Sequence, residues 1–213
     1  MYTVGVLPLE GFALMSYASV VEPLRAANLL SGEPIYNIKN ITISKFGVES
    51  SSGALIRSDN LIGEAGKLDL LFVIAGGDPF LVSDKRLFNW LKRLAKFGTI
   101  VGGVSGGPVI LVKAGLMKDR RMTVHWEHAE GLLEIGSDIL LERNLYVMDR
   151  DRITCAGGTA PLDMMLGVIS SRQGSVFAQY VSDWFLHTEI RPSGGAQRSG
   201  LVGRVGTNNS TVL

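Results

Sequence analysis

The stretch from Thr99 to Gly115 most constrains what this chain can fold into. An apolar, β-branched run leads into Gly103-Val-Ser-Gly-Gly107, and a helical pattern starts at Pro108. This order predicts a strand, a sharp turn and a helix, with Ser105 at the turn. The Gly-x-Ser-x-Gly spacing is typical of a nucleophile elbow, in which small neighbours allow a strained turn that exposes one side chain. Free N–H groups at the helix start favour an anion beside it. We therefore expect a site at Ser105.

The rest of the chain repeats the order of strand and then helix. Short apolar runs predict strands, and apolar residues at helical spacing predict helices. The predicted strands are 2–7, 36–46, 69–75, 99–104, 145–148 and 152–156. The predicted helices are 17–30, 83–97, 108–114, 161–171 and 176–187. This alternation predicts an α/β fold whose largely parallel sheet is covered by helices on both faces.

Composition limits the class of protein. The 213 residues are enough for one large α/β domain, and a net charge of +1 gives that domain no electrostatic case for binding nucleic acid. The single cysteine, Cys155, excludes an intrachain disulfide and is typical of a small buried side chain. We find neither a run of about 20 apolar residues nor a signal-peptide pattern. We therefore expect a cytoplasmic protein without a membrane partner.

The composition changes after Arg191. Residues 192–213 are rich in Gly, Ser, Asn and Thr and contain few large apolar side chains, which is typical of a linker. We therefore predict one domain over residues 1–191 and a flexible linker over residues 192–213, and we expect the polypeptide to continue.

Candidate site residues follow the predicted strands. Sites in an open parallel sheet form outside the carboxyl ends of the strands. Gly76, Gly77 and Asp78 follow one strand there, and Ser105 and Gly106 follow the next. His125, Trp126 and Glu127 follow a short predicted strand, and Thr159 stands at another helix start as a possible N-cap. All of these side chains and amides are candidates for one crevice.

Several of these residues have a purely structural alternative. Gly76 and Gly77 are equally compatible with a tight turn, and His125 with a packed histidine. His125 and His128 lie three residues apart, but no cysteine cluster or further histidine completes a metal site. We predict neither a metal nor a cofactor.

Five segments, in order, carry a resemblance to a known family. They are Gly11-Phe12 with the 21–27 helix, Ala75-Gly-Gly77, the Ser105 turn with 114–117, Thr123-Val-His-Trp126, and Thr154-Cys-Ala-Gly-Gly-Thr-Ala-Pro-Leu-Asp163. Residues 2–190 resemble the class I glutamine amidotransferase-like domain of the ThiJ/PfpI branch. More narrowly, they are similar to the N-terminal domain of AraC-type transcriptional regulators. The last segment resembles a subgroup that responds to glycine betaine, carnitine or arginine-type metabolites.

The resemblance implies a flavodoxin-like three-layer sandwich with the nucleophile-elbow turn at Ser105. It also implies a homodimer, and DNA binding only through a C-terminal helix-turn-helix domain that residues 1–213 do not include. Catalytic relatives have a cysteine at the elbow and an acid near the position of Ser16. This chain has serine at both positions and retains only His125. A serine nucleophile needs a base, and that base needs an orienting group. The resemblance therefore implies a vestigial elbow and no catalytic residue.

Three functions remain open. In the first, the crevice is the effector pocket of a regulator. The amides of Gly76, Gly77 and Gly106 would bind a carboxylate, and Phe12 and Trp126 would form walls for a cationic group. The second is a serine hydrolase or amidase that uses Ser105 and His125. The third is a dimerisation scaffold with an empty pocket.

Overall fold

A seven-stranded sheet forms the centre of the computed structural model, which describes residues 1–136 and 138–199. The described strands are β1 (Tyr2–Pro8), β2 (Tyr36–Thr42), β3 (Val48–Glu49), β4 (Leu55–Ile56), β5 (Asn60–Leu61), β6 (Leu70–Ala75), β7 (Ile100–Ser105), β8 (Arg121–Met122), β9 (Leu140–Leu141), β10 (Tyr146–Asp149) and β11 (Arg152–Cys155). The central sheet has the order β10-β11-β7-β6-β1-β2-β5. Only the β10–β11 pair in it is antiparallel, so the mostly parallel sheet is confirmed.

Helices cover both faces of this sheet. They are α1 (Leu14–Ser31), α2 (Lys85–Lys96), α3 (Gly107–Lys113), α4 (Ala129–Ile135), α5 (Ala160–Gln173) and α6 (Ser175–Trp184). Side chains alternate across a strand. In β6, Phe72 and Ile74 therefore pack in the cluster that holds α1, α5 and α6, whereas Leu71 and Val73 pack with α2, α3 and α4. The predicted three-layer α/β sandwich is confirmed.

Element boundaries differ from the predicted ones by a few residues. Helix α1 begins at Leu14 rather than Tyr17, and it contains Pro23. Its predicted end is confirmed, because Gly32 adopts a φ of 74° and its N–H bonds back to the carbonyl of Leu29. Strand β2 ends at Thr42 instead of Phe46, because the chain turns after it and the Phe46 side chain is exposed.

The first part of the predicted linker contacts the domain. The amide of Leu145 donates to the Ser193 carbonyl, and Gln197 Nε2 donates to the Thr123 hydroxyl and to two backbone carbonyls. Ser193 and Gln197 therefore contact the domain, and the flexible linker over residues 192–213 stays a prediction. The remaining linker prediction, residues 200–213, lies outside the described residues. Within the described part, no helix has both the length and the apolar character that a membrane crossing needs.

Candidate functional site

The elbow at Ser105 has the strained geometry that the sequence predicts. Ser105 ends β7 with a φ of 60°, in the left-handed region that costs a non-glycine residue about 1–2 kcal/mol. The flanking glycines are required by close packing. A Cβ on Gly107 would lie 2.0 Å from the carbonyl oxygen of Val73, and one on Gly103 would lie 2.5 Å from the Pro108 nitrogen. The start of α3 therefore packs directly against the backbone of β6, and the sharp turn depends on this close contact.

A second turn, at residues 156–158, closes over the elbow. A Cβ on Gly157 would lie 2.7 Å from the Cβ of Ser105, so this glycine lets the two turns touch. The next amide, from Gly158, donates to Ser16 Oγ at 3.0 Å. Ser16 is fully buried on α1. Where the resemblance implies an acid in catalytic proteins, this chain thus has a hydroxyl that holds the second turn in place.

His125 lies beside the elbow but is not paired with its serine. The His125 amide donates to the Ser105 carbonyl at 3.3 Å. Its Nδ1 accepts from the Glu127 amide at 3.4 Å and lies 3.8 Å from a Glu127 carboxylate oxygen. Burial lowers the pKa of His125 below its usual value, although Glu127 opposes the shift. In residues 1–136 and 138–199, no hydrogen bond joins the His125 ring to Ser105 Oγ, so a serine–histidine relay is not assembled there.

A cavity of about 210 Å³ opens next to this histidine. Its walls include the following residues from four separate segments of the chain: His125, Trp126, Gly157, Thr159, Arg191 and Gln197. Of the predicted site residues, the structure brings His125, Trp126 and Thr159 together here. The start of α5 contributes its N-terminal end to the same cavity, which favours negative charge.

Arg191 reaches this cavity from the segment after α6 and is held by a buried carboxylate. Asp163, in the first turn of α5, is fully buried. It accepts from the amide, Nε and Nη2 of Arg191 at 2.8, 2.9 and 2.6 Å, and lies 2.9 Å from His187 Nε2. Arg191 Nη2 also donates to Thr159 Oγ1. Thr159 does stand at the N-cap position, but its side chain makes no capping bond, which corrects its expected role.

Trp126 stands between this cavity and a larger one. The larger cavity has about 610 Å³, and Glu127, Glu130 and Arg198 are among its walls. Trp126 is 45% exposed, and its ring lies 5.3 Å from the His125 ring, centroid to centroid. The guanidinium carbon of Arg198 stands 4.3 Å from the same ring centroid. The aromatic surface that the sequence predicts for a ligand cation thus already contacts a cation of this chain.

Two groups predicted to contact a ligand have partners within the fold instead. Phe12 is fully buried and packs on Tyr17 with ring centroids 5.5 Å apart, so its ring is not a cavity wall. The Gly106 amide donates to the Ala75 carbonyl at 3.0 Å, which extends the β6–β7 ladder by one bond. That amide is therefore not available to a carboxylate.

Other predicted residues form the turn after β6 and have structural roles there. A Cβ on Gly76 would lie 2.5 Å from the Gly11 carbonyl oxygen, and Gly77 has a φ of 57°. The Asp78 carboxylate caps a short 3-10 helix by accepting from the Phe80 amide at 3.0 Å. None of the three lines the 210 Å³ cavity. A role in ligand binding stays a prediction for them.

Arg191 and Asp163 are the site residues that sequence reasoning missed. Asp163 had a weak signal, an acid within the otherwise apolar run Ala160–Gly167. Arg191 had none, because the two side chains that pair lie 28 residues apart and Arg191 borders a linker-like segment. Cys155 fits its predicted structural role, since complete burial raises the pKa of its thiol to about 12. The described residues hold no cluster of three metal-ligating side chains.

An α/β sandwich with a strained serine elbow, touched by the turn at 156–158 that borders a small cavity, defines a flavodoxin-like, elbow-bearing domain. Residues 4–171 match the DJ-1/PfpI family, and the chain belongs to that family. A solved structure titled as an AraC family transcriptional regulator from Pseudomonas putida superimposes with a TM-score of 0.79. That structure is 26% identical, and the match covers 87% of this chain and all of the other.

Two further relatives show the range of the family. The HTH-type transcriptional regulator GlxA of Rhizobium meliloti is 42% identical over 99% of this chain. This chain spans only 65% of the length of GlxA. Isonitrile hydratase of Pseudomonas putida is 25% identical over 86% of this chain and 78% of its own length. The chain is thus similar to transcriptional regulators and, at lower identity, to an enzyme.

Proposed function

We propose that this chain is the non-catalytic, effector-sensing domain of a transcriptional regulator and that its ligand is a small zwitterionic metabolite. The observation that carries the proposal is the 210 Å³ cavity beside an elbow whose serine has no paired base. Ser105 is not among the residues that line this cavity, which supports ligand binding without nucleophilic attack.

The walls of the cavity favour a zwitterion. The start of α5 and Arg191 favour a negative group at one side. The ring face of Trp126 favours a cation, and the carboxylate of Glu127, which lines the adjoining 610 Å³ cavity, adds negative charge on that side of Trp126. The volume is below the 300–1,000 Å³ that is common for ligand pockets, which favours a small metabolite over a nucleotide. Betaine, carnitine and arginine-type metabolites, which the sequence resemblance implies, meet these requirements.

The absence of a relay argues against hydrolysis. A serine nucleophile is activated by a base within hydrogen-bond reach, and that base is oriented by a third group. In the described part of the chain, the His125 Nδ1 accepts from a backbone amide and Ser105 Oγ has no hydrogen-bond partner. The strained φ of Ser105 is the one observation that favours the alternative, a serine hydrolase or amidase.

Regulation of transcription requires more than this domain. GlxA is longer than this chain and is named as a helix-turn-helix regulator, which supports DNA binding by a further domain of a longer protein. We also propose a homodimer in the cytoplasm. Sedimentation of the chain at high concentration tests the dimer. Effector-dependent binding of the longer gene product to its own promoter region tests the regulation.

Thermal-shift and calorimetric titrations test the ligand class directly. A ligand that binds only the folded state raises the melting temperature. Glycine betaine, L-carnitine and L-arginine are the compounds to screen, with wild type compared with Trp126→Ala and Trp184→Ala. Trp184 is a matched control because it is 49% exposed and lies on α6, away from the cavity. At least one compound should bind, and only Trp126→Ala should weaken it. Failure of all three compounds would contradict the proposed ligand class.

A further inference from the structure

We infer that Arg191 is the residue that recognises the carboxylate of the ligand in the 210 Å³ cavity. This inference rests on the proposed function, because it assigns a receptor group to the cavity that the proposed function uses. It gives the site a specificity for carboxylates over uncharged or purely cationic analogues.

The hydrogen bonds of Arg191 leave one edge of its guanidinium unused. An arginine side chain has five N–H donors in a fixed planar fork. Nε and Nη2 donate to Asp163, and Nη2 donates also to Thr159 Oγ1. Within residues 1–136 and 138–199, no hydrogen bond uses Nη1. The side chain is 38% exposed and lines the cavity, so the two Nη1 donors are the ones left to a ligand.

The buried carboxylate of Asp163 holds this group in place. It is fully buried and fixes the Arg191 side chain through two guanidinium contacts and the backbone through a third. A guanidinium fixed in this way loses little conformational freedom when it binds a carboxylate, since its orientation is set beforehand. Arginine matches carboxylate geometry in a way that the point charge of lysine does not. Asp163 uses Nε and Nη2 of Arg191, so the pairing with Asp163 leaves both Nη1 donors of a cavity-lining side chain unused.

Neighbouring groups support an anion at the same place. Gly157 and Gly158 have φ values of 91° and 60°, a turn that only glycine adopts readily and that leads directly into α5. Helix α5 is 14 residues long, so its N-terminal end contributes positive potential. His125 faces the same cavity, and its lowered pKa keeps it uncharged at neutral pH. Arg191 is therefore the cationic side chain of this wall among the described residues.

The test compares ligands with and without a carboxylate. Glycine betaine and choline share a trimethylammonium group, but only betaine has a carboxylate, and γ-aminobutyrate supplies a carboxylate with a different cation. The variants are Arg191→Lys, which keeps the charge, and Thr159→Val, which removes a contact to Nη2 without changing Asp163. Arg172→Lys is the matched control, because this arginine packs on Tyr2 outside the cavity. Circular dichroism and urea unfolding establish that each variant folds.

Wild type should bind betaine at least about tenfold more tightly than choline, because a hydrogen bond to a charged group is lost with choline. Arg191→Lys should remove most of that preference while choline binding stays unchanged, and Thr159→Val should reduce it. Arg172→Lys should leave it intact. If Arg191→Lys does not fold, the ratio of the choline Kd to the betaine Kd in Thr159→Val decides the question.

Each other outcome has a distinct meaning. Equal binding of betaine and choline by wild type would overturn the role of Arg191 and leave the proposed cation site standing. Betaine binding that Arg191→Lys and Thr159→Val leave within twofold would also overturn it. Arg191-dependent binding of γ-aminobutyrate without betaine binding would support Arg191 and change the proposed ligand class. No binding of any of the three would overturn both.

Discussion

Replacing Arg198 by alanine should make the protein bind cationic effectors more tightly. The Arg198 guanidinium carbon lies 4.3 Å from the centroid of the Trp126 ring, within the range of a cation–π contact. A ligand cation that uses the same ring face must first displace it. Such contacts contribute about 0.5–1 kcal/mol at exposed sites, so their removal should lower the Kd by about two- to fivefold. Calorimetric titration with glycine betaine or L-carnitine measures this change.

Two matched variants separate this competition from a general effect of charge. Arg198→Lys keeps a cation over the ring and should bind with nearly wild-type affinity. Arg172→Ala removes a comparable contact, a guanidinium 3.6 Å from the centroid of Tyr2, outside the cavity, and should change nothing. Weaker or unchanged binding by Arg198→Ala would refute the reasoning, because Arg198 would then not compete with the ligand.

The remaining predictions concern the elbow, the packing and the histidines. A serine-directed phosphonate should label wild type no more than Ser105→Ala, as mass spectrometry would show; labelling that depends on Ser105 would establish a reactive nucleophile. Gly107→Ala should cost about 3 kcal/mol of unfolding free energy in urea, because its Cβ would overlap the β6 backbone. Gly167→Ala, whose Cβ meets only ordinary contacts inside α5, should cost nothing, and equal losses in both variants would contradict this packing. Burial lowers the pKa values of His125 and His128 below their usual 6.5. Below about pH 6.5, the unfolded chain therefore binds more protons than the folded chain. The contribution of these histidines to the unfolding free energy should therefore hold steady above pH 6.5 and fall as the pH drops below it. Urea titrations at several pH values should show a smaller fall for His128→Gln than for wild type. An equal fall in both proteins would contradict the burial argument.

The sequence predicts the fold well because its signals are local. The elbow motif at 103–107 predicts the sharp turn because only glycines fit where the backbone of the turn packs this closely. The strand and helix patterns report which faces are buried, and they locate the parallel sheet to within a few residues at most ends. Such features depend on neighbouring residues along the chain, so one sequence is sufficient to find them.

The cavity is harder to predict because its walls come from distant segments. Phe12 follows a strand end and has an aromatic side chain suited to a cavity wall, yet it is completely buried and packs on Tyr17 of α1. The Gly106 amide belongs to an elbow, but one extra bond to Ala75 removes it from the site. Arg191 pairs with a carboxylate 28 residues earlier in the chain, and only the path of the chain after α6 brings the two together. The hydrophobic pattern of the sequence does not indicate such a pairing.

A crystal structure of the chain with a bound betaine-type zwitterion tests the central claim most directly. The account predicts intact ligand in the 210 Å³ cavity, with its carboxylate on Arg191, its cation on Trp126 and Arg198 displaced from that ring. Ligand bound at the 76–78 turn, or a covalent adduct on Ser105, would contradict it.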